Sequence, residues 1–168
     1  MTAAPNYEAL CATLRDLPAG SLIGIEGFCS SGKSALADRL STDIPAQVLH
    51  TDKFATKHEN PPPYIECLRL PDLRSALEGR SKSEPCLVEG ICLRDVLAAC
   101  GTSADHYVYI RRIGKNGLWY DQLHLETFEN AATPNGDEHE PHLSDLKYHS
   151  RTRPHERAST LFDRVEDN

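Results

Sequence analysis

Residues Gly27-Phe28-Cys29-Ser30-Ser31-Gly32-Lys33-Ser34 match the pattern G-x-x-x-x-G-K-[ST] in full. The short apolar run Leu22-Ile23-Gly24-Ile25-Glu26 precedes them, and the helix-forming stretch Ala35-Leu36-Ala37-Asp38-Arg39-Leu40 follows. Strand, glycine loop and helix in that order are the context the pattern requires. The glycines let the backbone turn its N–H groups inward around a phosphate, and the start of the helix adds positive potential. The stretch therefore predicts a nucleoside triphosphate site, with Gly27, Cys29, Ser30, Ser31, Gly32, Lys33, Ser34 and Ala35 around the phosphates. Lys33 would reach the β- and γ-phosphates, and the Ser34 hydroxyl would ligate Mg²⁺. No N-K-x-D guanine motif is present, so the base preference stays open.

A strand feeding a helix through such a loop needs parallel neighbours, and the rest of the chain supplies candidates. Tyr7 to Leu17 reads as a helix with Leu10, Leu14 and Leu17 on one face, and strand one is Ser21 to Glu26. The helix after the loop runs to about Leu40 and stops before Pro45. Further strands are expected at Gln47–His50, Cys86–Glu89, His106–Ile110 and Ala158–Phe162. Helices are expected at Tyr64–Leu70, Asp72–Leu77, Leu93–Cys100, Leu118–Ala131 and Leu143–Ser150, and an acidic turn-rich segment at Thr133–Pro141. This alternation predicts an α/β chain with the three-layer fold of P-loop NTPases: a central parallel sheet of about five strands with helices on both faces. The 168 residues fit one domain, with a small basic region around 111–157 serving as a lid.

The net charge of −7 argues against nucleic acid or an acidic membrane as a partner, since both demand basic surfaces. Positive charge for a phosphate must therefore be local. No apolar run approaches membrane-spanning length, and Pro5, Glu8, Arg15, Asp16 and Pro18 break up any leader-like segment. The six cysteines form no C-x-x-C pair, which fits free thiols in a reducing cytoplasm.

Ligands of such sheets sit at the carboxyl ends of the strands. Strand two leads into His50-Thr51-Asp52-Lys53-Phe54, and strand three ends in Glu89-Gly90. Phosphoryl transfer to an alcohol needs a metal, an orienting base and cations for the developing charge. Asp52 is a candidate base, and Glu89 a candidate ligand for Mg²⁺ or its water; each also fits an ordinary strand-end cap. Arg111 and Arg112 follow the fourth strand, and Arg151, Arg153 and Arg157 come later. Arginine forks suit phosphate oxygens, although any one of these also fits a solvated charged face.

Taken together, Gly27 to Ser34, the Asp52-x-Phe54 segment, Val88-Glu89-Gly90-Ile91 and the Tyr148-His149 and Arg153-Pro154-His155-Glu156 region resemble the uridine kinase and phosphoribulokinase branch of the P-loop kinases. The resemblance spans most of the chain from Ser21 onward. It implies transfer of the ATP γ-phosphate, through Mg²⁺, to a hydroxyl of a small metabolite such as a nucleoside. It further implies Asp52 as the hydroxyl-orienting base, with Lys33, Glu89, Arg111 and Arg112 beside it in catalysis. Ser34, Asp52 and Glu89 would lie around the metal, and late arginines such as Arg153 over the phosphates. Ala55 stands where the family often carries tyrosine, and the stretch after Arg112 is short and lacks the expected basic run.

Phe54, Tyr64, Trp119 and Tyr120 could stack on a base or belong to the core. His139-Glu140-Pro141-His142 falls one residue short of H-E-x-x-H and carries a proline hostile to a helix, so zinc chemistry is not expected. Cys29 sits beside a helix start, where a thiol pKa can fall. The alternative function is a nucleotide-dependent switch that uses the γ-phosphate to drive a conformational change in a partner-binding ATPase.

Overall fold

Strands β1 (Thr2–Ala4), β2 (Leu22–Glu26), β3 (Gln47–His50), β4 (Cys86–Glu89), β5 (His106–Ile113) and β6 (Thr160–Val165) form one sheet, in the order β1-β6-β5-β2-β4-β3. Every neighbouring pair is parallel. The structure is a computed structural model that describes residues 1–131 and 138–165. The strand carrying the glycine loop, β2, is central and all five of its residues are buried, as a strand covered on both faces requires.

Helices cover both faces. Alternation along the strands divides the core: Ile23 and Ile25 of β2 and Leu87 of β4 face one side, Leu22, Cys86 and Val88 the other. The first side is packed by α1 (Tyr7–Arg15) through Leu10, Cys11 and Leu14, and by α2 (Lys33–Asp43) through Leu36, Ala37 and Leu40. The second is packed by α3 (Leu70–Glu78) through Leu73 and Leu77, and by α4 (Leu93–Ala99) through Leu93, Val96 and Leu97. A smaller apolar cluster joins Phe28 of the glycine loop to Leu125 of α5 (Gln122–Asn130) and Leu146 of α6 (His142–Thr152). A short helix, α7 (Pro154–Arg157), follows. Among the described residues no helix is long and apolar enough to cross a membrane.

The expected three-layer arrangement is therefore present, with one strand more than expected. The extra strand is β1, which adds to the edge of β6 with Thr2 opposite Thr160. Three residues followed by Pro5 carry too little alternation to be read as a strand without their partner. Strand β5 runs three residues beyond Ile110 because β6 extends to Val165 and pairs with it to the end.

Two expected helices are shorter or of another kind. Tyr64–Cys67 is a single 3₁₀ turn, and the chain leaves it extended, so that Leu68 bridges Ala55. Helix α5 begins at Gln122 rather than Leu118. Gly117 takes a left-handed φ of 75°, and Gly114 N–H bonds the Leu118 carbonyl at 2.9 Å, which folds the stretch back so that Trp119 bridges Ile113. Of the expected turn-rich segment Thr133–Pro141, positions 133–137 lie outside the described residues.

Candidate active site

The chain leaves β2 at Glu26 and turns at once. A Cβ on Gly27 would lie 2.6 Å from Ser31 Oγ and 2.7 Å from the Ile110 carbonyl oxygen, so only glycine fits there. Ser30 (φ 64°) and Gly32 (φ 100°) are left-handed, and such changes of hand turn successive N–H groups toward one side. Lys33 is buried, and its ammonium donates to the carbonyls of Gly27 at 3.0 Å and Phe28 at 2.7 Å. The Ser34 hydroxyl donates to Glu89 Oε1 at 3.0 Å, tying the first turn of α2 to the end of β4.

Glu89 is 2% exposed. Besides Ser34, its Oε1 faces His50 Nδ1 at 2.7 Å, and the other ring nitrogen of His50 lies 3.3 Å from Asp38. Asp52 lies in a 3₁₀ turn, Thr51–Phe54, that leaves β3 directly. The Tyr64 hydroxyl donates to Asp52 Oδ1 at 2.6 Å and lies 2.8 Å from Thr51 Oγ1. Burial pushes the Tyr64 hydroxyl well above its ordinary pKa, and the Asp52 carboxylate adds to the shift, so this phenol stays a donor. Gly90 makes the approach of the two strand ends possible, since a side chain there would collide with the Thr51 hydroxyl.

These elements enclose a cavity of about 200 Å³ lined by Cys29, Ser30, Gly32, Lys33, Ser34, Ala35, Asp52, Glu89 and Ile91. The structure thus brings together eight of the residues singled out from the sequence. Gly27 and the fully buried Ser31 shape the loop from behind. The donors beside the cavity that suit a hard cation are all oxygens: the Ser34 hydroxyl and the Asp52 and Glu89 carboxylates. That set fits Mg²⁺. Among the described residues no group of three or more His, Cys, Asp or Glu could hold a metal ion by itself. An ion here would complete its shell with water and phosphate oxygens, as Mg²⁺ commonly does.

The arginines separate. Arg112 lines an adjoining cavity of about 380 Å³ that shares Cys29 and Ser30 with the first. Its guanidinium lies 3.5 Å from the centre of the Tyr120 ring and 3.8 Å from Asp121. Arg111 stands directly opposite Asp163 in the β5–β6 register and forms a two-pronged pair with it at 2.7 and 2.8 Å. Arg153, left-handed at the junction of α6 and α7, pairs with Glu129 at 3.2 Å and Glu156 at 3.4 Å. Neither Arg111 nor Arg153 borders the two cavities just described.

Arg164, Asp145 and Arg94, all close to the loop or its strand, escaped the sequence reading. Arg164 lies against Gly32 and lines a small cavity with Ala35 and Arg39. Asking what leaves each strand would have found it, had the last strand been carried to Val165. Helix α6 grips the loop from behind. Asp145 Oδ2 accepts from the Cys29 amide at 2.7 Å, and the His149 ring stacks on Phe28 with centroids 3.7 Å apart. The Tyr148 hydroxyl donates to Glu26, which also pairs with Arg94 at 2.9 Å. Burial pushes the Glu26 carboxyl up, against the pull of Arg94 and Tyr148. Trp119 and His155 complete an aromatic cluster with Tyr109 and His149, so Trp119 is half-buried against it while Tyr120 is exposed. The spacing Asp145-x-x-x-His149 was the available signal, but its burial was not legible.

An all-parallel sheet with a glycine loop leading from its central strand into a helix, and helices on both faces, is the fold of the P-loop kinases. One solved structure with this fold, described as a possible uridine kinase from Bacillus stearothermophilus, superposes with a TM-score of 0.57 at 19% identity, over 93% of this chain and 96% of that one. A second, described only provisionally as a fructose transport system kinase from Silicibacter sp. TM1040, gives a TM-score of 0.45 at 16% identity over 92% and 97% of the two chains. No family model matches the sequence, and no curated protein sequence matches it significantly.

Proposed function

We propose that this protein is an ATP-dependent phosphotransferase that moves the γ-phosphate to a hydroxyl of a small metabolite. The observation that carries this reading is the single cavity shared by Lys33, Ser34, Asp52 and Glu89. A nucleotide-binding loop alone accounts for the first two residues. Glu89 suits the metal of any such nucleotide site, and Asp52 at the neighbouring strand end is what an alcohol acceptor adds.

In this reading the loop amides and Lys33 hold the phosphates. Two of the ammonium's three donors go to the Gly27 and Phe28 carbonyls, leaving one for a phosphate oxygen. Ser34 and Glu89 would hold Mg²⁺, with Asp52 beside it, and the ion's charge would offset that of the phosphates. Asp52 orients the acceptor hydroxyl and takes its proton, and the Tyr64 hydrogen bond fixes which oxygen is engaged and which faces the acceptor. Arg112, beside Cys29 and Ser30, supplies positive charge along the cleft. A nucleoside heads the acceptor classes, in keeping with the possible uridine kinase of the same fold. The six free cysteines support a reducing, cytoplasmic setting.

The test is transfer of label from γ-labelled ATP across a panel of nucleosides, sugars and pantothenate-like alcohols. The expected result is label on one hydroxylated class. Asp52→Asn should lower that transfer roughly 10²–10⁴-fold, the scale of a lost general base, while MgATP affinity stays within about threefold. ATP consumption that ignores every hydroxylated compound and rises with a protein partner would overturn the reading. Near-normal turnover by Asp52→Asn would remove the base assignment.

A further inference from the structure

We propose that Asp145 is a positioning residue for the nucleotide, acting through the Cys29 amide, and that α6 links this hold to the Asp52 segment. The inference rests on the nucleotide-binding part of the proposed function and adds a residue from a distant part of the chain. Cys29 lines the wall of the cavity that contains Lys33 and Ser34, so where its amide sits decides where that wall stands. The amide is held by Asp145 Oδ2 at 2.7 Å, across 116 positions of sequence.

Asp145 is 1% exposed, and an isolated buried carboxylate is costly to keep in a fold. Oδ2 takes the loop amide, whereas Oδ1 has no hydrogen-bond partner among the described residues: it lies 3.1 Å from His149 Nδ1, whose own hydrogen bond goes to the Asp145 backbone carbonyl at 2.8 Å. The same face of the helix stacks His149 on Phe28 and sends the Tyr148 hydroxyl to Glu26. Residues 26, 28 and 29 are thus all gripped by one stretch of α6. The residue just before Asp145 reaches the opposite side of the cleft. Ser144 Oγ accepts from the Tyr64 amide at 3.0 Å, and the Tyr64 hydroxyl donates to Asp52. Consecutive residues of one helix therefore hold the phosphate loop and the segment bearing the proposed base. A rigid helix spanning the two fixes their separation, which transfer between two bound substrates demands.

The experiment compares wild type with Asp145→Asn, Asp145→Ala and Asp145→Leu, titrating each full-length chain with MgADP by calorimetry. Asparagine keeps an acceptor for the Cys29 amide, alanine and leucine do not, and leucine also preserves volume if alanine fails to fold. Expected are affinities at least tenfold weaker for the alanine and leucine variants, and within threefold of wild type for asparagine. Hydrogen exchange across residues 51–67 reads the link. Saturating MgADP should slow it in wild type and Asp145→Asn, and leave it unchanged in whichever of the other two folds. Wild-type-like affinity in Asp145→Ala or Asp145→Leu overturns the inference while the proposed function stands. So does an asparagine variant as weak as alanine, or an equal exchange response in all chains. Absence of MgADP binding by wild type overturns both.

Discussion

Glu26 and Glu89 end neighbouring parallel strands, one residue out of register, since Ile25 pairs with Glu89. They are 1% and 2% exposed. Chemically they are the same residue in the same kind of place, yet their surroundings divide them. Glu26 is enclosed by Arg94 and Tyr148, a cation and a donor that satisfy it inside the protein. Among the described residues Glu89 has a hydroxyl and an imidazole for partners, and it lines the cavity beside Lys33. A buried carboxylate paired with a half-buried guanidinium is committed to the fold. One held by Ser34 and His50 can exchange those partners for a ligand at small cost. The difference lies in which helix faces each strand end: α4 and α6 close over β2, while the start of α2 leaves β4 open.

That contrast can be broken most directly at Glu89. Glu89→Gln should reduce Mg²⁺-dependent transfer roughly a hundredfold and raise the Mg²⁺ concentration needed for half activity, with little change in the urea midpoint. A loss of stability without a change in Mg²⁺ dependence would put Glu89 in the same class as Glu26. Next in size is Glu26→Ala, which strips Arg94 and Tyr148 of their partner. It should cost about 2–3 kcal/mol in urea denaturation, below the full scale of a broken buried pair because Arg94 keeps some solvent. The folded fraction should bind MgADP as wild type does. Weaker binding in proportion to the lost stability would show that Glu26 also shapes the site.

The smallest expected effect is a pH dependence outside the cleft. Burial lowers the His106 pKa below its ordinary 6.5. The unfolded chain then binds the proton more readily than the folded one, so stability rises with pH up to that value and falls as pH drops below it. Melting temperature should decline between neutral pH and about pH 5.5, and less steeply in His106→Asn, which keeps a polar partner for Thr160. An unchanged slope would trace the acid sensitivity to other groups, with burial-shifted His155 the next to test.

The strands and helices that carry strong periodicity stood out in the sequence: Gln47–His50 and Cys86–Glu89 are found with those bounds, and the glycine loop is where its pattern put it. Less was legible where the partner decides the structure. Strand β1 exists because β6 offers an edge, and Trp119 leaves the expected helix because Gly117 turns the chain and an aromatic pocket receives the ring. Arg111 and Arg112 look alike in sequence, but alternation along β5 gives the first to Asp163 and the second to the cleft.

By itself the sequence determined a parallel α/β sheet, a glycine loop between its central strand and a helix, and two carboxylates at strand ends, because each is a local pattern of residue type and spacing. Tertiary structure alone decided that Glu89 is open and Glu26 closed, that Tyr64 holds Asp52, and that Asp145 holds Cys29. Those contacts join residues up to 122 positions apart, and no local pattern encodes which distant side chain arrives to satisfy a buried charge.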